Sequence, residues 1–348
     1  MQGNDFTRFR HAITQEAIPD RVPVAECDID FAIMDAYLGR PVLDLATYVA
    51  FWEQAGYDYV LLEIRSQYIA DSYQKRIAQG VRYVETHESA SVSTSGSVIH
   101  DEKTFYTYPW TKPQEVYYRD IDLVRECMPD SMKVILCVGP IYNGIQRAMG
   151  MNSFIKAYAE DPTLIRAVAD KFGTSAVRIV ENVLQREWVG GVWLGDDIAH
   201  NTGLMVSPGF LRDYVFPYYQ RIGQLCRMYD KLFIYHSDGN RDQVLPDLVD
   251  CGIQALHPNE PLAGDIGALK QQWGKHFALI GNVDVDLMER GTPEQVSAAA
   301  RKLIDDLAPG GGFVLGSGNS ITKDTPLANY RALLNAARLS RSREAVSG

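Results

Sequence analysis

The sequence predicts a (β/α)8 barrel, a TIM barrel, in one domain over residues 1–348. Two observations carry the prediction. Eight short apolar runs recur along the chain, each nearly continuous in hydrophobicity, as suits parallel strands buried on both faces. Amphipathic stretches with helix start signals fill the gaps, and strand–helix alternation through eight units closes a barrel. A barrel needs about 250 residues, so a chain of 348 leaves roughly a hundred for insertions.

The runs are Val22–Cys27, Tyr57–Glu63, Lys133–Gly139, Gly191–Asp197, Leu232–Asp238, Ile253–His257, Phe277–Val283 and Gly312–Gly318. Pro162–Trp188 has apolar residues at helical spacing and no internal proline. Ser207-Pro208 reads as an N-cap followed by proline at the first helical position, opening a helix through Asp230. Thr292-Pro293-Glu294 repeats that signal ahead of Val296–Leu307, and Thr325-Pro326 repeats it before a helix ending at Leu339. Val81–Trp110 departs from the pattern. It alternates, is rich in Thr, Ser and Tyr, and is broken at Ser95-Gly96, so it reads as a β-hairpin flap inserted after the second strand. Gly310-Gly311-Gly312 precedes a strand, which makes it a tight αβ turn and not a phosphate loop.

Charge and composition exclude several classes. With 34 basic against 44 acidic side chains the net charge is −10. An acidic chain without a Lys/Arg cluster has no means of gripping phosphates, so no nucleic-acid partner is expected. No apolar run approaches membrane-spanning length, and Met1–Arg10 is too polar for a secretory signal. Cys27, Cys127, Cys137, Cys226 and Cys251 are scattered, with no CxxC pair. That excludes a disulfide scaffold, argues against a thiolate-rich zinc site, and fits a reduced, cytoplasmic protein.

In a barrel the chemistry gathers where strands end. The first run ends in Glu26, Cys27, Asp28 and Asp30, and the second in Glu63 and Arg65. The third ends before Tyr142 and Asn143, the fourth in Asp196-Asp197, and the fifth in His236-Ser237-Asp238-Gly239-Asn240. The sixth ends in His257, Asn259 and Glu260, the seventh in Asn282 and Asp284, and the eighth in Ser317, Asn319 and Ser320. Buried carboxylates are costly unless paired, protonated or metal-bound, and here many converge on one mouth. His236-x-Asp238 is the sharpest feature, because residues two apart on a strand point the same way. Both can address one metal, zinc among them, with Glu260 as a third ligand. Equally, His236 can be a hydrogen-bonded barrel histidine and Asp238 a turn cap. Asp196-Asp197 is either an acid/base pair or a partner for loop amides. His257 is either functional or core. Cys27 is a candidate soft ligand or nucleophile, although no basic residue adjoins it. Glu26, Glu63, Tyr142 and Asn143 are candidates for substrate binding. Aromatic residues in Phe105–Tyr118 either line an aromatic pocket or reflect β-propensity.

Several strings resemble the uroporphyrinogen decarboxylase superfamily. They are Asp196-Asp197 with Gly203–Pro208 and Phe210-Leu211-Arg212, then Val215–Ile222. The strand-five box His236–Asn240, Gly281–Asp284, Gly291–Glu294, Ala308–Phe313 and Asp324–Pro326 with Asn329 continue the likeness, and Pro19–Val24 begins it. The resemblance runs from about residue 8 to 339 and implies a (β/α)8 barrel. True decarboxylases of the superfamily carry an Arg-rich N-terminal box that grips substrate carboxylates. This chain has Glu26-Cys27-Asp28-Ile29-Asp30 after its first run, and that acidity would repel a polycarboxylate.

The other branch resembles this chain in its strand-five box and consists of zinc-dependent methyltransferases that work with a corrinoid carrier or a thiol. Its well-known members hold zinc with H-x-C and a later Cys. Here Asp238 and Asn319 fall at those two positions, and His236 alone keeps its identity. The resemblance therefore implies a harder, oxygen-rich zinc site, of the kind found in O-demethylase-type members. Zinc on His236, Asp238 and Glu260 would polarise a leaving oxygen, with Asp196, Asp197 and Asn319 as catalytic candidates. The methyl group would pass from a small O-methylated donor, methoxyaromatics included, to a corrinoid on a separate carrier protein, since the chain has no D-x-H-x-x-G cobalamin sequence. A homodimer is a candidate state. The alternative is a cofactor-free decarboxylase of another carboxylate, for which Arg65 and Arg147 are the only cationic clamps near strand ends. A noncatalytic binding barrel is the third reading, and polar groups at every strand end oppose it.

Overall fold

The computed structural model describes residues 3–66, 99–110 and 116–340. Seven of the eight predicted runs form one parallel sheet. Its strands are β1 (Tyr59–Glu63), β4 (Lys133–Val138), β5 (Val189–Gly195), β8 (Leu232–His236), β9 (Ala255–His257), β10 (Ala278–Val283) and β11 (Phe313–Ser317), hydrogen-bonded in that order. Two small antiparallel pairs lie outside the sheet: β2 (Arg65–Ser66) with β3 (Val116–Tyr117), and β6 (Ala199–His200) with β7 (Gly203–Leu204). Every residue of β10 and β11 is buried, as continuous apolar runs require when helices cover the outer face. The sheet is curled and the architecture TIM-barrel-like.

The first run behaves differently from its prediction. Val22–Cys27 is not a continuous strand; Val24 makes an isolated parallel bridge to Leu315 of β11. Leu315 N donates to Pro23 O and Ala25 N donates to Leu315 O. Towards β1 a side chain takes the place of a ladder. The Tyr59 hydroxyl accepts from Glu26 N at 2.9 Å and donates to Glu26 O at 2.7 Å. The buried peptide groups of Glu26 are thereby satisfied without a strand partner.

Helix signals read from the sequence fare unequally. Ser207 caps Pro208–Tyr214 through Phe210 N, and Thr292 with Gln295 forms a capping box for Pro293–Leu307. The stretch expected as one helix to Asp230 is two, Pro208–Tyr214 and Phe216–Met228, with Pro217 at the start of the second. Proline has no N–H to continue the first helix's bonding, so the chain restarts there. Thr325 is no cap: the helix begins at Leu327, with Pro326 in the cap position. Gly310, Gly311 and Gly312 all have φ between +69° and +80°, as a left-handed turn into β11 demands.

The expected flap is corrected in part. Residues 81–98 lie outside the described residues. Beyond them the chain forms the helix Glu102–Thr107, not a hairpin strand. Asp101 accepts from Thr104 N while Thr104 Oγ1 accepts from Asp101 N, and this reciprocal cap overrides the β-propensity of the surrounding Thr and Tyr. The antiparallel β2–β3 pair joins Arg65–Ser66 to Val116–Tyr117.

The first helix, Phe6–Thr14, packs at the end of the sheet where the strands begin. There Phe6 N donates to Ser131 O below β4. Buried Arg8 reaches Asp58, just before β1, and Asp20, both at 2.6 Å. Among the described residues no helix is long and apolar enough to cross a membrane.

Tyr59→Phe should leave both Glu26 peptide groups unpaired and cost about 1–3 kcal/mol, read as a lower urea midpoint. An unchanged midpoint would remove the hydroxyl from its role in joining the first segment to β1.

Candidate active site

Strand register builds the centre of the mouth. His236 ends β8 and pairs in register with His257, which ends β9. The two rings meet Nδ1 to Nδ1 at 2.8 Å, and fully buried His257 packs edge-on against Trp193 of β5. From beyond the ends of β5 and β8, Asp197 and Asp238 each place Oδ1 3.5 Å from His236 Nε2. On the other side of the ring, Cys27 Sγ lies 3.6 Å from Nδ1. Among the described residues two groups have donor atoms close enough to hold one metal ion. They are Asp197–His236–Asp238 and Cys27–His236–His257, with all ligand atoms of each group within 4.8 Å.

The electrostatics favour a cation. Burial pulls His236 down to about 4, although the Asp197 carboxylate opposes the shift. The ring is therefore neutral near pH 7 and keeps a lone pair. Burial pushes Asp238 up to about 6, and the Asp197 and Glu260 charges push the same way. Their repulsion is the strain a divalent ion would relieve. Cys27 is raised well above an ordinary thiol, chiefly by burial, so it is a poor free nucleophile.

The structure divides the Asp196-Asp197 pair. Asp196 is buried and accepts from Ile141 N, Tyr142 N, Asn143 N and the Tyr219 hydroxyl, all within 2.9 Å. It satisfies the open amides at the start of helix Tyr142–Met149 and has no face towards the mouth. Burial raises it to about 6. Asp197 turns outward, its side chain 38% exposed, and so can meet an ion or a substrate. Asn143 fixes that turn: its Nδ2 donates to Asp197 O at 3.0 Å and its Oδ1 accepts from Asp197 N at 2.8 Å.

Glu260 does not join His236 directly. Its carboxylate accepts from Gly239 N and from Asn319 Nδ2, both at 3.1 Å. The same Asn319 amide donates to Asp238 Oδ1 at 2.9 Å and bridges the two acids. Gly239 has φ +78°, and a Cβ there would lie 2.4 Å from the His200 carbonyl carbon, so the close turn admits glycine only. Glu26 lies beneath the mouth, accepting from Ser317 N and Oγ; burial raises it to about 8, a neutral acid at pH 7. Glu63 is exposed at the end of β1, and Tyr142 is buried in the wall.

Sequence reasoning missed Arg241. It is buried directly after the strand-five box and donates to the carbonyls of Ser237, His257 and Pro258 and to Asn259 Oδ1. It clamps the turns that carry His236, Asp238 and Glu260. A lone arginine just beyond a run of polar turn residues was its only mark. The His236–His257 contact was foreseeable, since both residues close adjacent runs.

The fold and the mouth define a barrel with a histidine-and-acid centre. A family model for uroporphyrinogen decarboxylase (URO-D) matches residues 99–339, more than two thirds of the chain, and the chain belongs to that family. It is 24% identical over 189 residues to methylcobamide:CoM methyltransferase MtaA of Methanosarcina barkeri, covering 54% of this chain and 52% of that one. It is 27% identical over 148 residues to a methylated-thiol–coenzyme M methyltransferase of Methanosarcina mazei, covering 42% and 37%. It is also 27% identical over 139 residues to uroporphyrinogen decarboxylase of Coxiella burnetii, covering 39% and 38%. The chain thus spans about half or less of the length of these curated relatives. A solved methyltransferase from Methanosarcina mazei superposes with a TM-score of 0.69 at 19% identity, over 95% of this chain and 97% of that one, and shares its fold.

Asn143→Ala should cost about 1–3 kcal/mol, because two hydrogen bonds to the Asp197 backbone vanish. Urea unfolding reads this directly, and a stability equal to the unaltered chain would show that Asp197 is held by other means.

Proposed function

We propose that the chain is a zinc-dependent methyltransferase that takes a methyl group from an O-methylated small molecule, methoxyaromatics included, and delivers it to a corrinoid protein. The observation that carries the reading is the neutral His236 imidazole beside outward-facing Asp197 and Asp238 at the barrel mouth. One imidazole nitrogen with carboxylate oxygens suits zinc, and fewer than four protein donors leave a position for substrate. His236 and Asp238 would hold the ion as the resemblance implies, with Asp197 adjoining them and Glu260 linked to Asp238 through Asn319. When bound, zinc supplies a Lewis acid beside the oxygen that gives up its methyl group.

The chain's own groups do the rest. Asn143 and Arg241 hold the loops that carry the donors. Asn319 keeps Asp238 and Glu260 at a fixed separation. Of the two adjacent aspartates, Asp197 is the one positioned to orient the donor or handle its proton. Glu63 stands exposed at the rim to meet the donor, while Tyr142 and Glu26 shape the wall and floor. The methyltransferases among the relatives support a corrinoid carrier as partner. A decarboxylase is less favoured: of its two expected clamps, Arg147 is exposed on its helix and the Arg65 side chain lies outside the described residues, Arg241 is committed to four acceptors, and Asp197, Asp238 and Glu260 at the mouth would repel a carboxylate substrate.

The test is turnover of a methoxylated aromatic, followed as methylcorrinoid formation. The isolated chain should be inactive, and a reduced corrinoid protein should restore activity. His236→Ala should stay folded, lose zinc and lose about 100-fold or more in turnover. Equal consumption of the donor without any methyl acceptor would indicate a lyase or hydrolase. Methylation of a small thiol, with no turnover of any methoxylated compound, would overturn the choice of donor.

A further inference from the structure

His236 has two ring nitrogens, and the zinc proposed above would take one of them. Asp197 and Asp238 face Nε2. Across the ring, Nδ1 faces Cys27 Sγ at 3.6 Å and His257 Nδ1 at 2.8 Å. We propose that Cys27, His236 and His257 form a second cation position, built for a thiophilic divalent ion of the zinc–cadmium class.

The donor set is one sulfur and two imidazoles, which selects soft and borderline cations over magnesium or calcium. Its dimensions fit. With metal–sulfur bonds of about 2.3 Å and metal–nitrogen bonds of about 2.0–2.1 Å, a tetrahedral ion separates sulfur from nitrogen by about 3.6 Å and nitrogen from nitrogen by about 3.4 Å. The first separation is already present at 3.6 Å. For the second, the rings must open by roughly half an ångström from a hydrogen bond of 2.8 Å.

The three donors come from three separate barrel segments. Cys27 follows the segment bridged to β11, and His236 and His257 are register partners on β8 and β9. Arg241 fixes the backbone on both sides by binding the Ser237 and His257 carbonyls. Such donors are positioned by strands, not by a loop that must order around the ion. Cys27 and His236 are partly exposed while His257 is buried, so the position opens towards the mouth and is closed behind.

Proton placement is matched at His236, whereas His257 Nε2 is buried without a hydrogen-bond partner. A metal–sulfur bond forms as the Cys27 thiol proton leaves to solvent. Both imidazoles then bind through Nδ1 and keep their protons on Nε2. For His236 that N–H points at the Asp197 and Asp238 carboxylates, the usual outer partners of a metal-bound histidine. A neutral imidazole has one lone pair, so an ion here takes His236 away from the carboxylate side. The two positions are alternatives that share one residue.

Cadmium titration of the full chain tests the proposal. A thiolate-to-cadmium charge-transfer absorption should grow and saturate at one ion per chain. Asp238→Asn should retain it, His257→Gln should weaken binding by about tenfold or more, and Cys27→Ser should abolish it. No such absorption in the unaltered chain, or an absorption that persists in Cys27→Ser, would overturn the proposal. If Cys27→Ser fails to fold, X-ray absorption at the cadmium edge decides on the unaltered protein. One sulfur neighbour alongside imidazole nitrogens supports the site; an all-oxygen-and-nitrogen shell, or several sulfurs, refutes it. The methyl-transfer reading stands or falls separately, on zinc-dependent turnover.

Discussion

The parallel register that sets Gly195, His236 and His257 side by side is the constraint on which the mouth depends. It forces two imidazoles into contact at the ends of β8 and β9, and that contact fixes the plane of the His236 ring. With the ring fixed, Nε2 faces the acids that follow β5 and β8, and Nδ1 faces the sulfur that follows the first segment. A shift of one residue would turn His236 away from the barrel interior, because side chains alternate along a strand. The barrel supplies the rigidity; a histidine on a loop would not present both nitrogens to separate donor sets.

The polar groups under the mouth divide into those that hold and those that face out. Asp196, Asn143, Arg241, Asn259 and Glu26 are buried and spend their hydrogen bonds on backbone groups, on one another or on the Tyr219 and Ser317 hydroxyls. Their cost of burial is offset by satisfied partners. Asp197, Asp238 and His236 keep partial exposure and imperfect pairing. Evolved sites commonly concentrate unresolved charge where a ligand will settle it. The buried group explains why the outward group can be so sharply placed.

Much of this was legible from residue pattern. Continuous apolar runs located seven strands, and strand ends gathered the polar residues. The first run misled because its ladder runs along one side only, while the Tyr59 hydroxyl serves the other, and no local pattern announces a side chain acting as a strand partner. The stretch near Glu102–Thr107 misled because a reciprocal Asp–Thr cap outweighs composition. Adjacent Asp196 and Asp197 are alike as letters; only the helix start at Tyr142 separates a carboxylate that caps amides from one that faces out. The matching strings directed attention to Asp238 and Asn319 as the places where sulfur is missing. A sulfur does approach His236, but from Cys27 on the first segment, about two hundred residues away in sequence. Pairings of that kind follow from closing a barrel and are invisible to motif spacing.

The central claim is that His236 is the centre of a cation site. Anomalous diffraction at the zinc absorption edge, from crystals of the full chain grown with zinc, tests it most directly. The account predicts one strong peak within bonding distance of a His236 ring nitrogen, about 2.0–2.1 Å. Its side of the ring would say which donors share the ion. Zinc bound elsewhere on the chain, with no peak at His236, would contradict the account.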